Sequence, residues 1–309
     1  MYFSAFPGLG RFYKGCLHTH STRSDGKLTP EESLSLYRRL GYDFVALTDH
    51  NVMNRERFGM PDDFLVLPAM EMHTNHIHMK ERPQCHHFVV LSCGDEGFAH
   101  DERMENDAFT GPEDVQKTID RLTRGGNLVM LCHPVWSNTD FSDYGSLRGL
   151  FAMEVFNTGC HHENNTGLAD SRWNDMLRAD VRMWAAAVDD AHSVPHMGQG
   201  WICAHAPELS RAAIIESLKN GWFYASTGPE IHEFFIEDGE AVVRCSPCRN
   251  IYLRSDRIGG GRSRSAFAES GGALPEARFK LPDGARYVRI ECVEDENRIA
   301  WSQPIWLEA

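Results

Sequence analysis

Short apolar runs that end on a metal-ligand type of residue recur along this chain, and no other feature restricts its fold as much. Residues 13–17 lead to His18 and His20, residues 44–47 to Thr48-Asp49-His50, and residues 64–67 to Glu71. Residues 128–132 lead to His133, and residues 183–188 run into Asp190 and His192. Between these runs lie helical patterns. Thr29-Pro30-Glu31-Glu32 is a capping box with proline at the first helical position, followed by Leu36, Tyr37 and Leu40 on one face. Val115, Ile119 and Leu122 mark a helix within 112–124, Trp173, Met176 and Leu177 another, and 210–220 a last one closed by Gly221. From residue 10 to about residue 228 the alternation predicts a βα-repeating domain. In such folds the C-terminal strand ends converge on one rim, where active sites lie. The spacing His18-x-His20 adds to this, because alternate residues of an extended segment point the same way. Ser24-Asp25-Gly26 sets a carboxylate in a turn just beyond.

Each piece alone has a plainer reading. A single histidine at a strand end is ordinarily a half-buried polar residue with a hydrogen-bond partner. Asp25 and Asp49 alone read as a helix cap and an Asx-turn, and Cys132-His133-Pro134 as a turn. The joint pattern, in a chain with 16 histidines, reads differently. Burying that many titratable groups together without a cation costs several kcal/mol each, so a metal centre is the expectation.

The texture changes after Gly228-Pro229. Apolar runs at 231–236 and 241–245 flank Asp238-Gly239, a strong hairpin signal. Further strands are predicted at 250–254, 277–281, 287–293 and 299–306, with a Gly- and Ser-rich loop over 259–272. The expected organisation is therefore an α/β domain over residues 1–228 and a small all-β appendage over 229–309. A formal net charge of −13 disfavours a nucleic-acid partner, whose phosphates require clustered Lys and Arg. There is no apolar run of the ~18 residues a membrane span needs, and the N-terminus lacks a signal-peptide pattern. Nine cysteines without a framework read as reduced thiols in a cytoplasmic protein. Cys245-Ser246-Pro247-Cys248 has no matching Cys pair and reads as a structural turn, since a zinc ribbon needs four ligands.

The motifs, in order, are His18-Thr19-His20, Ser24-Asp25-Gly26, Thr48-Asp49-His50-Asn51, Glu71, His87-Phe88-Val89-Val90-Leu91, His133-Pro134 and Asp190-Ala191-His192. Over about residues 12–228 this series resembles the PHP (polymerase and histidinol phosphatase) superfamily. Glu154-Val155-Phe156-Asn157, residues 221–229 and residues 300–306 resemble later motifs of its CehA/McbA-type branch. The resemblance implies a distorted, TIM-barrel-like (β/α)7 barrel whose mouth holds two or three divalent metals. Mixed His and carboxylate ligands suit Mn, Fe or Zn.

Carried over residue by residue, the implied ligands are His18, His20, Asp25, His50, Glu71, His87, His133, Asp190 and His192, with His86 as the alternative to His87. Glu71 would bridge. His18, His20 and Asp190 would complete one ion, Asp25, His50 and His192 a second, and His87 with His133 a third. Glu71, Asp190 and His192 are the implied catalytic core. Arg23 and Lys27, flanking Asp25, read either as phosphate grips or as solvated loop charges. The loop read over 71–78 offers His73, His76 and His78 as solvated residues, proton donors or substrate contacts, and His76 and Asn157 are taken as substrate contacts. The implied activity is hydrolysis of a small phosphomonoester or cyclic phosphodiester by a metal-bridging hydroxide. Two rivals are an ester, amide or carbamate hydrolase with the same metals, and a metal-stabilised binding module without catalysis.

Overall fold

Twenty strands and six α-helices make up the described part of the chain, residues 2–78, 80–81, 83–94, 103–269 and 272–307 of a computed structural model. The protein is mixed α/β with low helix content, and its strands form three sheets. In the largest sheet Arg11–Cys16 runs parallel to Phe44–Ala46, which runs parallel to Leu65–Leu67. Pro68 then turns the chain into the second, six-stranded sheet through Ala69–His76. That sheet continues through Cys85–Leu91, Leu128–Leu131, Ala152–Asn157 and Trp184–Val188, with Asp107–Phe109 at its far edge. Two isolated parallel bridges, Thr19 to Ala191 and His50 to Glu71, tie the two sheets together beyond their strand ends. Predicted ligands stand in or next to both bridges. Leu17, Phe44, Ala69, Val89, Met130 and Val188 fill the space between the sheets and are fully buried. Each large apolar side chain buried this way is worth about 1.5–3 kcal/mol.

The capping box forms as read. Thr29 accepts from the Glu32 amide while Glu32 accepts from the Thr29 amide, opening the helix Pro30–Arg39. The helices Pro112–Leu122, Asp170–Arg178 and Arg211–Asn220 also lie where their periodicity puts them. The regular βα alternation fails from Phe44–Ala46 to Asp107–Phe109, where the described strands follow one another without a helix, and again at Trp201–Ala206, antiparallel to both its neighbours. Most of residues 71–78 is not a loop, because Ala69–His76 is an eight-residue strand pairing antiparallel with Cys85–Leu91. The connection 77–84 is too short for the crossover helix that parallel strands need. Cys85–Leu91 is in turn antiparallel to Leu128–Leu131.

The C-terminal strands extend the N-terminal part. Arg298–Ser302 pairs with Phe223–Ser226, which pairs with Trp201–Ala206 and through it with Arg11–Cys16. The predicted hairpin joins Ile231–Glu237 to Glu240–Cys248 through Asp238 and Gly239, both at positive φ, and Tyr2–Ser4 adds to its edge. The segment 259–272 is not wholly a loop, since Ser265–Phe267 pairs with Asn250–Ser255; residues 270 and 271 lie outside the described residues. Gln303 clasps the backbone of Ala185 with both its amide atoms, and Arg289, fully buried, lies over the Trp173 ring. No helix among the described residues is long and apolar enough to cross a membrane.

Candidate metal centre

Glu71 stands at the centre of the cluster, fully buried on the strand Ala69–His76. Its Oε2 lies 2.7 Å from His50 Nδ1 and 3.4 Å from both His18 Nε2 and His20 Nε2. Its Oε1 lies 3.0 Å from His87 Nδ1 and 3.3 Å from His133 Nε2. Asp190 Oδ1 is 3.2 Å from His18 Nε2 and 3.0 Å from His20 Nε2. At the mouth Asp25, its side chain 54% exposed, lies 3.4 Å from His50 Nε2 and 3.3 Å from His192 Nε2. All nine predicted ligand residues thus stand in one cluster. Ligand atoms of His20, Asp25, His50 and His192 lie within 4.8 Å of one another, as do those of His18, His20 and Asp190. His87 and His133 share Glu71 Oε1. His86 points elsewhere, stacking on Phe88 and meeting the edge of Phe109, because neighbouring strand residues face opposite sides.

The outer hydrogen bonds decide which ring nitrogen faces inward. His18 Nδ1 lies 2.6 Å from Glu154 Oε1, His133 Nδ1 3.0 Å from Ser137 Oγ, and His192 Nδ1 3.1 Å from the Asp190 carbonyl. With the proton held on that outer nitrogen, as in a metal-bound imidazole, each Nε2 is free to ligate an ion. His18 Nε2 and His20 Nε2 face each other across 3.2 Å; Glu71 Oε2 and His50 Nδ1, 2.7 Å apart, are buried out of hydrogen-bond geometry, and His73 Nε2 is buried without a partner. Ligand atoms packed this closely in a buried space fit a cation between them. Strain is stored here too, since Asp190 at φ 48° and His133 at φ 23° occupy backbone conformations that non-glycine residues rarely adopt.

Glu154 anchors this frame. Its Oε2 accepts from the His133 amide at 2.8 Å and from Asn157 Nδ2 at 2.9 Å. In a Glu154→Gln variant the amide nitrogen must face either His18 Nδ1 or this pair of donors. Metal affinity is expected to fall about 10–100-fold, as isothermal titration with Mn(II) or Zn(II) would measure.

The structure separates the predicted substrate contacts from the cavity. Asn157 is fully buried beneath the cluster, donating to Glu154 and, at 3.0 Å, to Asp190 Oδ2, so it positions ligands. His76 lies on the opposite strand face from Glu71, against Phe109. Lys27 is exposed, Arg23 lies over Phe58, and neither lines the cavity. That cavity, about 310 Å³, is lined by predicted ligands together with His73, Trp136, Cys160 and Glu163. His73, two residues after Glu71 on the same strand face, stacks on His87 at 3.9 Å and approaches His50 at 4.0 Å.

Without ions the cluster is electrostatically divided. Burial alone would raise the Glu71 carboxyl, but His18, His50 and His87 hold it well below its ordinary range. His50, despite burial, is raised to about 10 by Glu71 and Asp25. Burial and the neighbouring His87 push His73 down to about 3, and burial lowers His20 and His87 as well. Histidines with lowered pKa stay neutral in the folded state while the unfolded chain takes up protons near pH 6.5. The chelated protein should therefore lose stability as pH falls from about 6.5 toward 3. The raised group His50 contributes fully below about 6.5 and loses its contribution as pH rises toward 10. Urea unfolding at stepped pH, with His73→Asn expected to flatten the acid slope, checks this.

No protein-family model and no curated protein sequence matches the chain. Among solved structures, one from Bacteroides vulgatus, a two-domain protein containing a predicted PHP-like metal-dependent phosphoesterase, covers 98% of this chain and 97% of its own at TM-score 0.50 and 15% identity. The likeness is one of fold. PsfC from Pseudomonas syringae aligns over 67% of this chain and 87% of its own, with TM-score 0.45 and 13% identity. A protein from Bifidobacterium adolescentis aligns over 58% of this chain and 87% of its own, with TM-score 0.36 and 13% identity. The alignment with the Bacteroides vulgatus structure spans both the strands around Glu71 and the C-terminal strands.

Proposed function

We propose that this chain is a metal-dependent phosphoesterase of the PHP type, CehA/McbA-like, acting on a small phosphomonoester or cyclic phosphodiester. In this reading the strands tied by the Thr19–Ala191 and His50–Glu71 bridges form a distorted (β/α)7 barrel, and the nine ligands hold two or three Mn, Fe or Zn ions at its mouth. Residues 229–309 form an appendage that shapes access. The observation that carries the proposal is the convergence of imidazole nitrogens on Glu71 and Asp190, with His18 and His133 held from outside by Glu154 and Ser137. Bound there, divalent ions supply a water of lowered pKa and neutralise phosphate oxygens.

The protein's own groups then hold and position. Glu71 and Asp190, kept anionic by the surrounding histidines, set the spacing of the centre. His192, partly exposed at the mouth with Nε2 toward Asp25, completes the ligand group nearest to an entering substrate. Trp136 offers an apolar wall, its Nε1 donating to Glu163 at 3.1 Å. No Lys or Arg is among the described lining residues, so attraction for phosphate would come from the ions. The net charge of −13 repels a long polyanion more than a metabolite with one phosphate. The same lack of cationic side chains suits an uncharged carboxyl ester, amide or carbamate, which is the second reading.

A substrate panel separates the two. With the Mn-, Fe- or Zn-loaded chain, metal-dependent phosphate release from small phosphomonoesters or cyclic phosphodiesters is expected to exceed carboxyl-ester turnover at least ~10-fold in kcat/KM. Preference for carboxyl esters would favour the second reading, and digestion of DNA or RNA with affinity falling steeply in salt would contradict the small-substrate reading.

A further inference from the structure

The pair Cys245-x-x-Cys248, isolated in sequence, gains a third sulfur in the fold. Cys292 comes from the strand Tyr287–Asp295 in the large sheet, while Cys245 and Cys248 lie on Glu240–Cys248 in the four-stranded sheet. The three Sγ atoms lie within 4.8 Å of one another and all three residues are buried. Residues three apart on a regular strand face opposite sides. Here the register against Leu274–Lys280 shifts between Arg244 and Cys248, with Pro247 exposed, so both thiols turn into the same core. Bulges re-aim side chains in this way. The surrounding core, which includes Ile231, Phe234 and Ile290, shares no residue with the Glu71 cavity.

A buried lone cysteine behaves as a small apolar residue, as Cys203 does in the same core. Three sulfurs drawn together across two sheets by a local distortion need a different account. We propose that Cys245, Cys248 and Cys292 form a second metal site, a thiolate site that takes a thiophilic d10 cation, Cu(I) or Zn(II), and clamps the two sheets together. Each coordinating sulfur releases its proton to solvent, and thiolates select such cations. Three sulfurs suffice for Cu(I). Zn(II) needs a fourth donor, and backbone carbonyls are close: Ser246 O is 3.2 Å from Cys248 Sγ, and Leu274 O is 3.8 Å from Cys245 Sγ. Among the described residues no His or carboxylate joins this group.

The test uses the full, pre-reduced chain, titrated with Cu(I) against a chromophoric competitor and with Co(II) as a stand-in for Zn(II). The expected result is a near-ultraviolet sulfur-to-metal charge-transfer band with the amplitude of one thiolate-bound ion per chain, whatever the Glu71 centre also binds, lost in Cys292→Ser and kept in Cys203→Ser. The band with Cu(I) alone identifies a three-sulfur site, and with Co(II) a site completed by oxygen; either supports the proposal. Because Cys292 is fully buried, a readout on the unaltered chain accompanies the variants: alkylation in mild denaturant, mapped by mass spectrometry. Added Cu(I) or Zn(II) is expected to protect the 245, 248 and 292 sulfurs. No band with either ion, a band that survives Cys292→Ser, or no protection would overturn it.

Discussion

Replacing Glu71 by alanine is expected to abolish hydrolysis and metal binding together. The carboxylate touches five imidazoles, its two oxygens serving different histidines, so its loss breaks the centre at the point every proposed ion shares. The drop in kcat should exceed the roughly 10–100-fold typical of an outer-shell partner, and added metal should not restore it. The protein left behind holds raised-pKa histidines such as His18 and His50 with one of their counter-charges removed. Removing one partner of a buried ion pair typically costs about 3–5 kcal/mol, which urea unfolding of the metal-free variant would register. A Glu71→Ala protein retaining wild-type activity would place the chemistry elsewhere.

Chelation has the second largest expected effect. Ions bound only by the folded chain stabilise it by RT ln(1 + [L]/Kd), about 4 kcal/mol at a thousandfold excess over Kd. Stripping them should remove activity and lower Tm, and Mn, Fe or Zn should restore both. Calorimetry with and without chelator measures this. The Cys292→Ser chain should show the same loss of activity on chelation, which separates the Glu71 centre from the thiolate site. An unchanged Tm and activity after complete stripping would contradict a structural and catalytic role for the ions.

How much was legible from sequence depended on whether the signal was local. His18, His20, His50, His133, Asp190 and His192 follow short apolar runs, and strand ends share a rim, so their convergence could be read before any coordinates. The capping box at Thr29 and the Asp238-Gly239 turn were equally local. His73 escaped because its segment is rich in polar residues and looks like a loop. Its strand character rests on pairing with Cys85–Leu91, where Met72 and Thr74 turn one way and Glu71 and His73 the other. Asn157, within the Glu154-Val155-Phe156-Asn157 motif, was taken as a substrate contact. Only the hydrogen bonds to Glu154 and Asp190 show it supporting the cluster from beneath. Arg23 and Lys27 flank Asp25 in sequence, yet neither is among the residues that line the cavity. The third cysteine of the Cys245 group lies on a strand of another sheet, a juxtaposition that depends on strand order and that spacing does not encode.

The central claim is that the cluster around Glu71 is a multinuclear metal centre, and anomalous scattering tests it by position. Crystals of the full chain grown with Mn(II) or Zn(II), measured at the metal edge, should show at least two peaks in contact with Glu71, Asp190 and the His18–His20 pair. Featureless anomalous density there under metal-replete conditions would contradict the account.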